Sequence, residues 1–279
     1  MANAAYLAAL LLLGYLVIVA VAYINQHRML YLPDQFGREP TATPADIGLS
    51  YTEVTLTAAD GVELHGWHVP AAAERGAVAL FHGNAGNIGH RLETLRLLND
   101  LGLATLIIDY RGYGRSEGQP SEAGTYRDAE AVWHHLSEER DIDPDRIVVF
   151  GRSLGAAIAA RLAARHTPAA LILESPFTSV PELAAEIYPY LPVRWLSRYR
   201  YATADYAAQA ACPLLVIHSS DDDIVPIAHG RAVYQRASGP KRFLELTGGH
   251  NAGFVESHRI YREGWAAFLA EHLDQAKAP

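Results

Sequence analysis

The sequence predicts an α/β fold, in which a mostly parallel, doubly wound sheet with a short lid insertion is preceded by one N-terminal transmembrane helix. Three observations predict it. Short apolar runs such as AVALF, ATLIID and IVVF alternate with helical segments, as is typical of parallel strands covered by helices on both faces. A long uncharged segment stands at the N-terminus, and glycine-rich or polar turns follow several of the strands.

The N-terminal segment AAYLAALLLLGYLVIVAVAYI, from Ala4 to Ile24, carries no charge. As a helix it would be about 31 Å long, which matches the hydrocarbon core of a bilayer. Tyr6 and Tyr23 lie near its ends, where aromatic rings favour the membrane interface. A signal peptide cleaved after Ala20-Val21-Ala22 is the alternative, but the segment lacks a positively charged start, and its apolar stretch exceeds the roughly 7 to 15 residues that are usual in a signal peptide. We expect a retained single-pass membrane anchor over residues 1–25.

The rest of the chain divides into a connector and one folded domain. No Lys or Arg precedes the apolar segment, whereas Arg28 and Arg38 follow it, which favours a cytoplasmic domain. Residues 26–45 are rich in proline and polar residues and predict the connector. Residues 46–276 predict the α/β domain, with a short lid at about 177–211.

The elements of this domain follow in a regular order. EVTLT and VELHGWHV flank Ala59-Asp60-Gly61 and predict a β-hairpin. Strands and helices then alternate: AVALF, RLETLRLLNDLG, ATLIID, EAGTYRDAEAVWHHLSEE, IVVF, AAIAARLAARH, ALILE, LLVIH, a helix near 228–237, RFLEL and a helix near 258–273. In such sheets, functional loops gather beyond the carboxyl ends of the strands.

Composition excludes several classes of function. The net charge of −8, with both signs interspersed, argues against nucleic acid as a partner. The single cysteine, Cys212, rules out an intrachain disulfide and is expected in the core. The chain has neither an H-E-x-x-H motif nor a P-loop, so we expect no metal and no cofactor.

The strand IVVF ends in GRSLG, which has the G-x-S-x-G pattern of a strained strand-to-helix turn that exposes a serine. Gly151 and Gly155 provide the small neighbours that such a turn needs. The strand before the motif and the helical AAIAARLAARH after it are the required context. Ser153 is therefore the expected nucleophile, the alternative being a plain turn serine.

A serine nucleophile needs a base, because its hydroxyl is weakly nucleophilic at neutral pH. Most of the thirteen histidines fall in predicted strands or helices. His250 instead follows the last strand in RFLELTGGHN, where Gly248 and Gly249 form a flexible loop. We expect His250 to be the general base.

The base in turn needs a carboxylate partner, and LLVIH ends in SSDDDIVP. Three adjacent aspartates, Asp221 to Asp223, repel one another and suggest function, although a solvated acidic turn is the alternative. Ser153, Asp222 and His250 give the order Ser…Asp…His along the chain. Spacing alone leaves open which aspartate points inward.

The loop in ALFHGNAGN predicts an oxyanion hole, since Gly83 and Gly86 allow backbone N–H groups to approach a developing negative charge. The backbone N–H groups of Asn84 and Leu154 are the expected donors. A simple strand-to-helix turn is the alternative.

Taken together, these motifs resemble the α/β-hydrolase superfamily, in particular its short-lid, serine-aminopeptidase-like branch, which includes membrane-associated esterases and depalmitoylating hydrolases. The resemblance runs over about residues 50–255 and is carried by FHGNAGN, DYRGYGRSEG, FGRSLGA, LESPFTS, HSSDDDIVP and GGHN. It implies that Ser153 is the nucleophile, His250 the base and Asp222 the acid, with Asp221 as the alternative acid. Ser219 stands where the family pattern has glycine.

We expect hydrolysis of a small-molecule or lipid-like acyl ester or thioester through a covalent acyl-enzyme. A short lid leaves the site open, which suits a long acyl chain presented at a membrane. Within the lid, VRWLSRYRY mixes arginines with Trp195, Tyr199 and Tyr201, which suits an anionic lipid surface, unless these aromatics pack on the domain. The alternatives are an aminopeptidase-like serine peptidase and a non-catalytic membrane scaffold.

Overall fold

The structure is a computed structural model that describes residues 2–274. Its centre is an eight-stranded sheet in the order β1-β2-β4-β3-β5-β6-β7-β8. The strands are β1 Thr52–Thr57, β2 Glu63–Val69, β3 Gly76–Phe81, β4 Leu103–Ile108, β5 Ile147–Arg152, β6 Ala170–Glu174, β7 Leu214–Ser219 and β8 Lys241–Leu246.

The predicted mostly parallel sheet is confirmed. Strand β2 pairs antiparallel with β1, in the predicted hairpin, and with β4, while the other neighbouring strands pair in parallel. The central strands β3, β4 and β5 are almost wholly buried on both faces, which explains their continuous apolar sequences.

Within the described residues, ten α-helices surround or precede the sheet. They are α1 Ala2–Leu30, α2 Leu92–Asp100, α3 Glu122–His134, α4 Leu154–Ala163, α5 Val180–Ile187, α6 Val193–Leu196, α7 Thr203–Gln209, α8 Ile227–Arg236, α9 Gly253–Glu256 and α10 His258–His272. A single π-helical turn, His135–Glu139, extends α3. Helices α2 and α10 cover one face of the sheet, and α3, α4, α7 and α8 cover the other.

Helix α4 lies closest to the sheet because its sequence is rich in small residues. Nine of its ten residues are buried, and six of these nine are alanine or glycine. Because these side chains are small, the helix can approach β5 and β6 closely. The opposite face of the sheet is covered by larger side chains, among them Trp265 of α10. Its ring packs edge-on against that of Phe150 of β5, with the ring centroids 5.0 Å apart. Each such buried side chain contributes about 1.5–3 kcal/mol to folding. Cys212 is buried in the core, as expected.

Helix α1 is long enough and apolar enough to cross a membrane, with a mean hydropathy of 2.7. It continues to Leu30, past residue 25, so the first residues of the predicted connector are helical. The end of the predicted lid segment likewise forms α7, whose Ala204 and Ala207 pack into the core. Helices α5 and α6, in the middle of that segment, have no buried residues.

Candidate active site

Four loops meet at the carboxyl edge of the sheet, because parallel strands end on the same side. The loops after β3, β5, β7 and β8 carry Asn84, Ser153, Asp222 and His250, respectively. Ser153, His250 and Asn84 line one cavity of about 880 Å³, and Leu154 lies in the same wall. The structure thus brings together residues that lie as far apart as 84 and 250 in the chain.

Ser153 occupies a sharp turn between β5 and α4. Its backbone has φ 53° and ψ −116°, a conformation that is unfavourable for a residue with a side chain. Its N–H donates a 2.9 Å hydrogen bond to the carbonyl oxygen of Glu174, the last residue of β6, which holds the turn against the neighbouring strand. The geometry is that of a nucleophile elbow.

The glycines on either side of Ser153 are required by close backbone contacts. A Cβ atom at Gly151 would overlap the carbonyl of Gly155, and one at Gly155 would overlap the carbonyl oxygens of Phe81 and His82. Helix α4 can therefore begin directly behind β3 and β5 only if these positions have no side chain. The G-x-S-x-G pattern is thus a packing requirement as well as a motif.

The three consecutive aspartates after β7 have three different partners. Asp222 accepts a hydrogen bond from His250 Nδ1, which lies 2.9 Å from its Oδ1 and 2.8 Å from its Oδ2. Asp221 accepts from the backbone N–H of Gly248 at 3.2 Å, and Asp223 from that of His250 at 2.9 Å. Asp222 therefore contacts the imidazole ring, while its two neighbours hold the loop that carries it.

Asp222 remains ionised despite being buried. Burial raises the pKa of its carboxyl group, but the nearby ring of His218 and hydrogen bonds from His250 and from the backbone N–H of Val225 outweigh that effect and hold the pKa below its usual range. The ring of His218 lies 3.4 Å from the carboxylate and donates from Nε2 to the carbonyl of Val225 at 2.8 Å. A carboxylate in this position fixes the His250 tautomer that leaves Nε2 free to accept a proton.

An ion pair supports the other side of the site. Arg152, directly before Ser153, lies 3.0 Å from the carboxylate of Glu174, which also accepts a 2.6 Å hydrogen bond from Tyr261. Arg152 donates to the carbonyl of His250 and to Asn251 as well. The arginine thus links the ends of β5 and β6 to the histidine loop.

The cavity has an apolar part and a polar part. Helix α1 and the lid line the apolar part with residues that include Val19, Met29, Leu183, Ile187 and Leu196. The polar part lies beside the loop after β3 and is lined by His90, Arg91, Glu93, Arg152 and Asn251. A molecule with a long apolar chain and a polar end would match this division.

Two features of the site were missed by the sequence reasoning. The end of α1 forms a wall of the cavity, and its last carbonyl, that of Leu30, accepts a 2.5 Å hydrogen bond from Asn84 Nδ2. Arg91 lines the polar part. The position of Arg91 could have been found from the sequence, because this residue follows closely after the FHGNAGN loop, at the start of a predicted helix.

The lid aromatics behave in two ways. Tyr201 is buried and bonds to Tyr31 of the segment after α1, with the two hydroxyl oxygens 2.8 Å apart, and Tyr199 packs edge-on against Tyr31. These two therefore pack on the domain. Trp195 instead is 89% exposed and stands on α6.

A mostly parallel sheet with a serine on a strained turn after β5, and an aspartate-bound histidine after the last strand, is the arrangement of α/β hydrolases. The family model described as serine aminopeptidase, S33, matches residues 72–203. The α/β hydrolase domain-containing protein WAV2 of Arabidopsis thaliana is 34% identical over 93% of this chain and 92% of its own. The chain belongs to the α/β-hydrolase superfamily and is therefore a hydrolase.

Two further comparisons agree with this assignment. The lysophosphatidylserine lipase ABHD12 of Danio rerio is 32% identical, and the match covers 86% of this chain and 72% of that protein. The structure of the Pyrococcus furiosus esterase Pf2001 superimposes with a TM-score of 0.72 at 20% identity, covering 88% of this chain and 98% of that one. At that identity the second comparison shows a shared fold.

Proposed function

We propose that this protein is a membrane-anchored serine hydrolase that cleaves carboxylic esters or thioesters of long acyl chains, with Ser153, His250 and Asp222 as its catalytic triad. The observation that carries the proposal is the cavity itself. It contains Ser153 and His250, and its apolar part is formed jointly by the lid and the apolar helix α1. A substrate whose acyl chain comes from a bilayer would meet this part of the cavity first.

In the first half of the reaction, Ser153 Oγ attacks the substrate's carbonyl carbon while His250 Nε2 takes the hydroxyl proton. The ionised Asp222 stabilises the imidazolium through its contact with Nδ1. The backbone N–H groups of Asn84 and Leu154 stabilise the negative oxygen of the tetrahedral intermediate. The intermediate collapses, the bond to the alcohol or thiol breaks, and the leaving group takes the proton from His250.

In the second half, a water molecule attacks the acyl-serine. His250 takes a proton from this water and returns one to Ser153 Oγ as the carboxylic acid leaves. Every proton is thus carried by one histidine, and the net reaction adds one water across the ester bond. The reaction needs no metal or cofactor.

Ester cleavage is favoured over peptide cleavage by the residues that line the cavity. An aminopeptidase needs a carboxylate to hold the substrate's terminal ammonium group. Among the described residues of the cavity wall, Glu93 is the one acidic side chain, and it is exposed to solvent. The relatedness to a protein named as a lipase, ABHD12, supports an acyl ester of a lipid.

The decisive experiment is labelling with a fluorophosphonate probe, which reacts with activated serines. The full-length protein should be labelled at Ser153, identified by peptide mass spectrometry, and a Ser153→Ala variant should not be labelled. Hydrolysis should then be measured on esters and thioesters of graded chain length. A folded protein that is not labelled would contradict the proposal and favour a non-catalytic scaffold.

We propose further that residues 1–25 are a retained single-pass anchor, joined by a connector over 26–45 to a cytoplasmic hydrolase domain over 46–276 with its lid at 177–211. The apolar α1 and the arginines that follow it support this arrangement. The protein should resist extraction by alkaline carbonate, and its intact mass should include the N-terminal segment. Release by carbonate or a shortened mass would contradict the anchor.

A further inference from the structure

Tyr15 lies in the middle of the apolar segment of α1 and contacts the lid. Its hydroxyl donates a 2.9 Å hydrogen bond to the backbone carbonyl of Tyr190, in the turn between α5 and α6. At a rise of about 1.5 Å per residue, Tyr15 is roughly 14 Å along the helix from Ile24, where the apolar segment ends. Half of a bilayer's hydrocarbon core is about 15 Å thick. With α1 across a bilayer, as proposed above, the lid therefore contacts α1 near the depth of the midplane.

A later part of the lid contacts α1 near the membrane surface. The Gln26 side chain donates to the carbonyl of Leu196 at 2.9 Å and accepts from the backbone N–H of Arg198 at 2.8 Å. The guanidinium of Arg198 also lies over the ring of Tyr23, 5.9 Å from its centroid. From Gln26 to Tyr15 the contacts with the lid extend over roughly 16 Å of the helix. The lid thus runs along α1 from its interfacial end towards its middle.

The segment between these contacts, residues 187–193, is called the lid tip below, and its composition suits hydrocarbon. Its sequence IYPYLPV carries no charge, whereas Glu186 precedes it and Arg194 follows it. Ile187 and Tyr190 are 50% and 62% exposed, although both side chains are large and mainly apolar. The charged residues of the lid therefore flank a tip that presents apolar surface beside an apolar helix. Such a surface is typical of contact with a membrane.

Hydrogen bonding at the lid tip also suits a dry environment, in which an unpaired backbone polar group is strongly disfavoured. Two of its seven residues are prolines, which have no N–H group. The N–H groups of Tyr188, Leu191 and Val193 donate within the lid, at 2.8 to 3.0 Å. The carbonyl of Tyr190 accepts from Tyr15, whose hydroxyl would otherwise be unpaired in the middle of an apolar helix. Each of these two groups thus satisfies the other.

The cavity reaches the same level of α1. Val19 and Tyr23 line it from the helix, and Leu191 lines it from the lid tip. Val19 is roughly 8 Å along the helix from Ile24, inside the apolar segment. One wall of the cavity that contains Ser153 is therefore formed by residues at the depth of lipid acyl chains.

We propose that the lid tip inserts beside α1 into the hydrocarbon core of the leaflet next to the hydrolase domain, where it contacts lipid acyl chains. The inference rests on the membrane anchor proposed above and adds a second membrane-embedded element to it. It also gives the proposed ester substrate a route to the cavity, since an acyl chain passes between α1 and the lid tip without crossing water.

The test measures the depth of single labelled cysteines in the full-length protein, reconstituted into phosphatidylcholine vesicles. Tyr190→Cys keeps the carbonyl that Tyr15 contacts and is labelled with the fluorophore NBD. Iodide quenches labels in water, and a lipid with a doxyl group near the end of its acyl chain quenches labels near the midplane. The label at Tyr190→Cys should be quenched about fivefold more by the doxyl lipid than by iodide, because it lies about 14 Å from the membrane surface.

Two further positions calibrate this measurement. Val17→Cys places a label on an exposed position of α1 and should behave like Tyr190→Cys. Ile260→Cys places it on an exposed apolar position of α10 and should be quenched by iodide alone. The wild type serves as the blank, because its single cysteine, Cys212, is buried and burial raises the pKa of the thiol to about 12.

A charge at the lid tip should separate access from catalysis. Tyr190→Asp places a carboxylate in the hydrocarbon, so hydrolysis of a long-chain ester dissolved in the vesicles should fall by about tenfold or more. Hydrolysis of a short, water-soluble ester should not change, since Tyr190 is outside the set of residues that line the cavity. Ile260→Asp places the same charge on α10 and should leave both rates unchanged. Activity on the short ester shows that each variant is folded.

The outcomes distinguish the insertion from the proposed hydrolysis. Equal quenching of Tyr190→Cys and Ile260→Cys by iodide would overturn the insertion, whether or not the protein hydrolyses esters. Quenching of Val17→Cys by iodide alone would overturn the anchor and the insertion together. Doxyl quenching at position 190 in a protein that hydrolyses neither ester would support the insertion and contradict the proposed hydrolysis. Equal rates of long-chain ester hydrolysis by the wild type and Tyr190→Asp would overturn the access route.

Discussion

Asn84 joins the loop beside Ser153 to the apolar N-terminal helix, because its side-chain amide donates a 2.5 Å hydrogen bond to the carbonyl of Leu30, the last residue of α1. Its Oδ1 atom accepts a 2.7 Å hydrogen bond from the hydroxyl of Tyr113. The proposed oxyanion donor and the end of the proposed anchor are thus one hydrogen-bonded unit. Helix α1 therefore contributes to the geometry of the candidate site.

Replacing the Asn84 side chain should reduce activity even though its backbone N–H is kept. Asn84→Ala leaves the Leu30 carbonyl without its partner, and we expect a loss of about tenfold in kcat/KM, the equivalent of one hydrogen bond. Asn99→Ala is a matched control, because the Asn99 amide also donates to a backbone carbonyl, that of Pro70, far from the site. Equal activity of the two variants would show that the link to α1 is irrelevant to catalysis.

Single substitutions in the aspartate run should separate the roles of its members. Asp222→Asn should lower kcat by about 10³- to 10⁴-fold, because an asparagine amide favours the wrong tautomer of His250. Asp221→Asn and Asp223→Asn should retain activity within about tenfold, since an asparagine oxygen can still accept the backbone N–H of Gly248 or His250. Steady-state kinetics on one ester checks this, and a collapse at 221 instead of 222 would reassign the acid.

The low pKa of Asp222 also predicts how stability depends on pH. The folded state favours the carboxylate, so this group stabilises the protein above its unfolded pKa of about 3.9, and the contribution is lost as the pH falls further. The wild type should therefore lose free energy of unfolding more steeply than Asp222→Asn between about pH 5 and pH 3. Urea unfolding at several pH values measures how the free energy of unfolding of each protein depends on pH. The same pH dependence in the wild type and in Asp222→Asn would show that the pKa of Asp222 is not lowered in the folded state.

Gly155 should tolerate no side chain. The new Cβ of Gly155→Ala would overlap the end of β3, and we expect a destabilisation of about 1–3 kcal/mol, or a fall in Tm of roughly 3–10 °C. Gly239→Ala is the matched control, because its Cβ would meet only the carbonyl oxygen of Cys212, at 3.5 Å. Thermal unfolding of both variants should give a large shift for the first and less than about 2 °C for the second.

The fold and the position of the candidate site could be predicted from the sequence because both depend on short-range patterns. Buried parallel strands read as continuous apolar runs, and their carboxyl ends lie at one edge whatever the details of packing. Ser153 and His250 could therefore be assigned to a common edge from the strands that precede them. The aspartate facing His250 could not be derived from spacing, since adjacent residues of a loop can point in any direction.

The role of α1 could not be predicted, because it depends on contacts between distant parts of the chain. Gln26 donates to the carbonyl of Leu196, and Tyr31 bonds to Tyr201, in each case across 170 residues. An apolar sequence indicates that a helix can enter a membrane but not which of its residues face a lid. Arg91 was missed because an arginine at the start of a helix is ordinarily exposed to solvent, although its place after the FHGNAGN loop points to the site.

Trp195 should act in docking the lid on a lipid surface. It is 89% exposed on α6, which is joined to α1 where Gln26 contacts Leu196, so a bilayer that contains α1 would lie close to it. Trp195→Ser should reduce hydrolysis of a long-chain ester in anionic vesicles by about three- to tenfold, because an interfacial tryptophan contributes about 1 kcal/mol or more. Hydrolysis of a short, water-soluble ester should not change, since Trp195 is outside the set of residues that line the cavity.

Ile260→Ser, which removes an exposed apolar side chain from α10, is the control for general surface effects. A Trp195→Ser variant that loses activity equally on both substrates would instead make this residue part of the lid's packing.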